Sequence, residues 1–194
     1  MQKNRWLVVA LLMLVCSGVV FAQSGLKLTI STGYSFTSFE EDTYSDAAGT
    51  LPLGLSIGKQ FTPALEAGVE LLYPLGGYTW ELDFLDLFKI NTTFNQMLTG
   101  VYGRYAFGSN PGLKPFAKAG VGLYSGNGTV EVDGESEDFD VKSAIGFNLG
   151  GGVYVKENLW VQFQYHIVKR EAEDMDEKSG TNTWDITLGY VFHL

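Results

Sequence analysis

Trp184-Asp-Ile-Thr-Leu-Gly-Tyr-Val-Phe-His-Leu194 alternates without a break. Trp184, Ile186, Leu188, Tyr190, Phe192 and Leu194 share one face of an extended chain, and Asp185, Thr187, Gly189, Val191 and His193 share the other. Successive side chains of a strand point to opposite sides, so this stretch reads as a strand with one apolar face and one mostly polar or small face. The segment before it repeats the pattern. Leu159, Val161, Phe163, Tyr165 and Ile167 oppose Trp160, Gln162, Gln164, His166, Val168 and Arg170.

Working back toward the N-terminus, the period of two recurs. Ile145, Phe147, Leu149, Val153 and Val155 oppose Lys142, Gly146, Asn148, Gly150, Gly152, Tyr154 and Lys156. Leu113, Ala117, Ala119, Val121 and Leu123 oppose Lys114, Phe116, Lys118, Gly120, Gly122 and Tyr124. Leu65, Ala67, Val69, Leu71 and Tyr73 oppose Glu66, Gly68 and Glu70. Leu51, Leu53, Leu55, Ile57 and Phe61 oppose Gly54, Ser56, Gly58 and Gln60, and Leu28, Ile30, Tyr34 and Phe36 oppose Thr29, Ser31, Gly33 and Ser35. Only the fourth segment is blurred. Met97, Val101, Tyr105 and Phe107 face away from Gln96, Gly100 and Arg104, but Leu98 and Tyr102 break the polarity of the second face.

Eight segments of about ten residues each have the length to cross a bilayer at the tilt of a barrel strand. The connections around 62–63, 108–112 and 156–158 are short, whereas those around 40–50, 78–90, 126–138 and 170–182 are long and polar. Short turns at one end and long loops at the other are the asymmetry of an outer-membrane barrel, with turns in the periplasm and loops outside. All of the 22 acidic residues except Glu66, Glu70, Glu157 and Asp185 sit in or beside the long loops. Lys27, Lys59, Arg104, Lys114 and Lys156 gather at the turn end. The chain therefore reads as all-β, an eight-stranded antiparallel up-and-down transmembrane β-barrel.

Alternation does not say which face is outside, since a soluble barrel would bury the apolar side. The content of the faces decides. The polar face is rich in glycine with a few ions, which suits the narrow, side-chain-filled lumen of eight strands. The other face carries Tyr34, Phe61, Tyr73, Phe107, Trp160, Trp184 and Phe192 near strand ends, as an interfacial aromatic girdle would.

Lys3 and Arg5 precede an apolar run from Trp6 to Val15 that is too short to span a bilayer, and Val20 and Ala22 fit a cleavage site. Residues 1–22 are expected to be an export signal and 23–194 the barrel domain. Cys16, the sole cysteine, falls in that signal, so no thiol chemistry is expected in the domain. The net charge of −9 argues against a nucleic-acid partner, and no cofactor or metal is implied.

Leu113-Lys-Pro-Phe-Ala-Lys-Ala-Gly-Val-Gly-Leu-Tyr124, Gly146-Phe-Asn-Leu-Gly-Gly-Gly-Val-Tyr154, the turn Lys156-Glu-Asn-Leu-Trp160 and the ending Thr187-Leu-Gly-Tyr-Val-Phe192 resemble the opacity-protein and OmpA-like outer-membrane β-barrel family. The resemblance covers all of 23–194. It implies a C-terminal assembly signal at Thr187, Gly189, Phe192 and Leu194, read by the barrel assembly machinery, although the chain closes on Leu194 where such signals usually end in Phe. It also implies a non-enzymatic protein of the outer membrane, in contact with lipid and lipopolysaccharide. Such a protein would contribute to envelope integrity and engage a host or surface ligand through its acidic loops.

On the inward face, Glu66 and Glu70 are expected to meet Arg104, Lys114, Lys118, Lys142 and Arg170, because ions in so narrow a space need partners. A salt-bridged plug is the plainer reading and a narrow or gated pore the alternative. His166 and His193 lack an adjacent nucleophile, which speaks against a lipid hydrolase. The run Glu131-Val-Asp-Gly-Glu-Ser-Glu-Asp-Phe-Asp140 is rich in oxygen ligands but lacks the spacing of a calcium loop, so a solvated loop is expected. Tyr78-Thr-Trp-Glu-Leu-Asp-Phe-Leu-Asp-Leu-Phe88 is apolar for a loop, and strands extending beyond the membrane account for it better than a contact surface does.

Overall fold

The computed structural model describes residues 25–39, 48–84, 88–108, 113–132, 134–171 and 178–194. The export signal expected over 1–22 lies outside them. The described chain is strand almost throughout: β1 (Leu26–Phe39), β2 (Ala48–Gln60), β3 (Leu65–Leu75), β4 (Tyr78–Phe84), β5 (Phe88–Ala106), β6 (Lys114–Val132), β7 (Glu135–Lys156), β8 (Leu159–Glu171) and β9 (Lys178–His193). All pairings are antiparallel and, except between β3 and β4, each strand pairs with the next in sequence, while β1 pairs with β9 from Lys27↔His193 to Phe39↔Thr181. The sheet therefore closes on itself.

Nine strands make eight staves because β3 and β4 are one stave, interrupted. β5 pairs with β3 over Leu98–Tyr105 and with β4 over Phe88–Phe94. At the break, Gly76 and Gly77 take φ of 89° and 71°, a left-handed conformation that glycine adopts without steric cost. Pro74 just before them has no N–H to offer the ladder.

β5, β6 and β7 run to 19, 19 and 22 residues, about twice what a bilayer crossing needs. Their outer halves project as ribbons. Within the apolar stretch 78–88, Tyr78–Phe84 pair with Phe88–Phe94 in one of them, as the composition suggests; 85–87, and the side chains of 80–88, lie outside the described residues. The acidic stretch 131–140 is not the solvated loop expected of it. Thr129↔Asp138, Val130↔Glu137, Glu131↔Ser136 and Val132↔Glu135 are cross-strand pairs. Thr-Val-Glu-Val followed by Asp-Gly is a hairpin pattern, and the acidic content hid it.

The faces divide as the alternation requires. Ile30, Leu53, Leu71, Val101, Leu123, Phe147, Leu149, Phe163, Ile186 and Leu188 are exposed on the outside, while Thr29, Ser35, Glu66, Arg104, Lys118, Asn148, Gln162, Gln164 and Asp185 are buried inside. Leu98 and Tyr102, which blur the fourth segment, point inward too, at 2% and 4% exposure. The period of two is intact there; it is the lumen that is partly apolar. Outside, the ring of Trp184 stacks on Tyr165 at 4.0 Å and lies 5.1 Å from Phe163. Tyr105–Phe107 and Tyr190–Phe192 pair near the turn end at 5.1 and 4.9 Å.

Trp160 does not belong to this outer set, contrary to its place among the expected girdle aromatics. It is buried in the lumen with Phe116, Ala106 and Val191. Its cross-strand partner is Gly189, where a Cβ would stand 2.2 Å from the indole, so the glycine is what lets the ring fold inward.

Candidate functional site

The lumen holds three stacked polar layers. Nearest the turn end, Glu66 of β3 accepts from Lys27 of β1 at 3.3 Å and, on its other oxygen, from Tyr102 at 2.8 Å and Arg104 at 3.4 Å, both on β5. Arg104 also donates to the Tyr154 hydroxyl at 2.9 Å. Its guanidinium is boxed by rings, 4.8 Å from Phe116, 5.2 Å from Trp160, 5.5 Å from Tyr102 and 5.9 Å from Tyr154. Ring faces attract a cation, so this cage offsets part of the cost of burying one.

In the middle layer Lys118 of β6 meets Glu70 of β3 across the axis at 2.5 Å and donates to Gln164 at 3.0 Å. Asn148 supplies a second donor to Glu70 at 3.3 Å, and Gln162 bonds to Gln164. Toward the loop end a chain of short contacts runs Tyr124–His166–Asp185–Ser35–Tyr78. Tyr124 lies 2.8 Å from His166 Nδ1, Asp185 lies 2.6 Å from Nε2, and Ser35 bonds both Asp185 and Tyr78, the latter at 2.8 Å. Leu98 and Val168 close around it.

Of the seven charges expected to share the lumen, Glu66, Glu70, Arg104 and Lys118 are brought together and Lys114 and Lys142 are not. Lys114 sits at the turn rim and donates to the Pro63 carbonyl at 2.8 Å. Lys142 is exposed on the outside of β7. The ladder between β6 and β7 shifts register between Tyr124 and Gly126, which carries Val141 inward against Tyr78 and Phe94. One shifted residue exchanges the faces beyond it, so Lys142 turns out. The Arg170 side chain is outside the described residues. Alternation alone marks Lys27, Ser35, Asn148, Gln162, Gln164 and Asp185 as inward, yet only the closed barrel shows that they join the network.

Ser35, Asp185 and His166 lie together but in the wrong order for acyl transfer. A nucleophilic serine needs the imidazole as its base, with the carboxylate behind the imidazole. Here the hydroxyl is spent on the carboxylate, and Tyr124 occupies the far nitrogen. His193 at the rim bonds Asn158 at 3.1 Å. Among the described residues, no group of three or more His, Cys, Asp and Glu is arranged to hold a metal.

Free space in the barrel is uneven. A cavity of about 420 Å³ opens at the turn end, floored by Glu66 and Arg104. Beyond Arg104 lies a pocket of about 30 Å³, among Glu70, Lys118, Gln164 and Asp185.

The family described as outer membrane protein beta-barrel domain matches residues 7–192. The chain belongs to this outer-membrane β-barrel family. It resides in the outer membrane and crosses it with strands; no helix of the described residues is long and apolar enough to do so. Neisserial surface protein A has a similar structure, with a TM-score of 0.61 at 16% identity over 88% of this chain and 98% of that one. Ail, the attachment invasion locus protein of Yersinia pestis, gives 0.58 at 16% identity over 88% and 100%. The outer membrane enzyme PagL gives 0.51 at 16% identity over 84% and 98%. At such identities the likeness is one of fold. No curated protein matches the sequence.

Membership in this family makes the outward apolar face a lipid-facing one, with a depth-dependent consequence. Leu149→Arg, in the middle of the β7 belt, is expected to cost about 2–4 kcal/mol of folding free energy in phospholipid vesicles. Val155→Arg, one residue from the end of β7, is expected to cost no more than about 1 kcal/mol. Urea titration of both variants in vesicles checks the ratio, and equal costs at the two depths would contradict it.

Proposed function

We propose that this outer-membrane barrel is a closed, non-enzymatic surface protein that contributes to envelope integrity and binds through its acidic extracellular extensions. The observation that carries this reading is the filled lumen. Beyond the turn-end cavity, the pocket among Glu70, Lys118, Gln164 and Asp185 measures about 30 Å³, room for one water molecule or so, and three hydrogen-bonded layers of described residues fill the lumen. A passage for solute would require the Arg104–Glu66 and Lys118–Glu70 pairs to part. What remains to meet a partner is the outer end, where Glu131, Glu135, Glu137, Asp138 and Asp140 stand exposed on the β6–β7 ribbon. Dense carboxylates suit a cationic partner, or lipopolysaccharide phosphates bridged by divalent cations. The names of two proteins of similar fold, a surface protein and an attachment protein, accord with this reading. Against an enzyme of the PagL kind stands the Ser35–Asp185–His166 order, which leaves the serine without a base.

Two measurements test it. The purified protein in planar bilayers is expected to give no conductance steps. Changing the five ribbon carboxylates to amides is expected to abolish adhesion of cells displaying the barrel, with the heat-modifiable gel mobility of a folded barrel retained. Steady conductance that changes in the Glu70→Gln variant would favour the pore instead.

A further inference from the structure

The turn-end cavity carries a charge of the opposite sign to the rest of the molecule. Lys27, Arg104, Lys114 and Lys156 line it against Glu66 and Glu157, whereas the chain as a whole has a net charge of −9. Glu66 is already shared between Lys27 and Arg104. Lys114 bonds only a backbone carbonyl, and neither it nor Lys156 forms an ion pair with another described residue. Tyr154 accepts from Arg104 at the floor, which leaves its own O–H to donate. Pro63, Ala64, Leu65 and Ala106 supply an apolar wall. At about 420 Å³ the space lies within the range of small-molecule sites.

We infer that this vestibule is a receptor for a small solute carrying two or more carboxylate or phosphate groups, reached from the periplasmic side. Lys114 and Lys156 at the mouth and the Tyr154 hydroxyl at the floor are its donors. Converging ammonium groups favour a polyvalent anion over a monovalent one, because each added charge gains a charge-assisted contact. Low-dielectric barrel walls focus the field between them. The inference does not depend on the role of the outer extensions.

Titration calorimetry of the folded protein in detergent micelles, with citrate as the probe and acetate as the monovalent control, tests it. Citrate is expected to bind saturably with one-to-one stoichiometry and more weakly as salt rises, and acetate not to bind. Lys114→Gln and Lys156→Gln are each expected to weaken citrate about tenfold, the loss of one charge-assisted contact. Lys59→Gln removes the same charge at the same rim but from the exposed outer face, so it should leave the affinity unchanged. Resonances of Tyr154 and His193 should move on titration. No saturable citrate binding, or an equal loss in the Lys59 variant, would overturn the assignment; the gel mobility of each variant verifies that it is folded.

Discussion

Gly33→Val is expected to stop the barrel from closing. A Cβ at Gly33 would stand 1.9 Å from the carbonyl oxygen of Ile186 and 2.7 Å from Cα of Thr187. Both are backbone atoms of β9, so no rotamer change relieves the contact. The strands involved are the first and last of the barrel, paired through Gly33↔Thr187 and Tyr34↔Ile186. Overpacking costs about 1–3 kcal/mol where side chains can yield, and more is expected where a ladder must open. Thr32→Val, one residue away on the exposed outer face, is expected to fold normally. The fraction of unboiled protein that migrates as the compact form measures both. A Gly33→Val chain with wild-type mobility would mean that the β1–β9 seam is looser than the register implies.

The second large effect concerns the middle layer. Glu70→Leu leaves Lys118 buried, with its side chain 6% exposed, and with only the Gln164 oxygen as a hydrogen-bond partner and the Tyr102 ring 5.0 Å away. Removing one member of a buried pair costs about 3–5 kcal/mol, because the other charge stays desolvated and uncompensated. Adding Lys118→Met should recover most of that loss, since replacing both ions by apolar groups of similar size is often neutral. The coupling between the two sites is thus expected to exceed about 2 kcal/mol in a double-mutant cycle run by urea titration in vesicles. If the double variant proves as unstable as Glu70→Leu alone, the pair is not the unit that holds this layer.

Much of the architecture was legible because a barrel strand records its two environments in alternate letters. Leu159 to Ile167 against Trp160 to Val168 fixes which residues face lipid, and the short turns near 62, 110 and 157 fix the sense of each crossing. Trp160 shows where such reading slips. Its parity is inward, but an indole near a strand end suggests a girdle, and only its pairing with Gly189 makes room inside. Lys142 shows another limit. Parity counted through β7 puts it in the lumen, and a single register shift near Tyr124 reverses that. Leu98 and Tyr102 looked irregular because the interior was expected to be polar, whereas a caged Arg104 requires rings around it.

The sequence alone determined the strand count, the inward and outward sets apart from Lys142 and Trp160, and the acidic outer end, because period, turn chemistry and charge are local properties of the chain. The meeting of Lys118 with Glu70, of His166 with Asp185 and Tyr124, and of Arg104 with Trp160 was decided by the closed barrel. Those partners sit on different staves, and their heights along the axis depend on the stagger with which the sheet closes, a quantity that no single strand encodes.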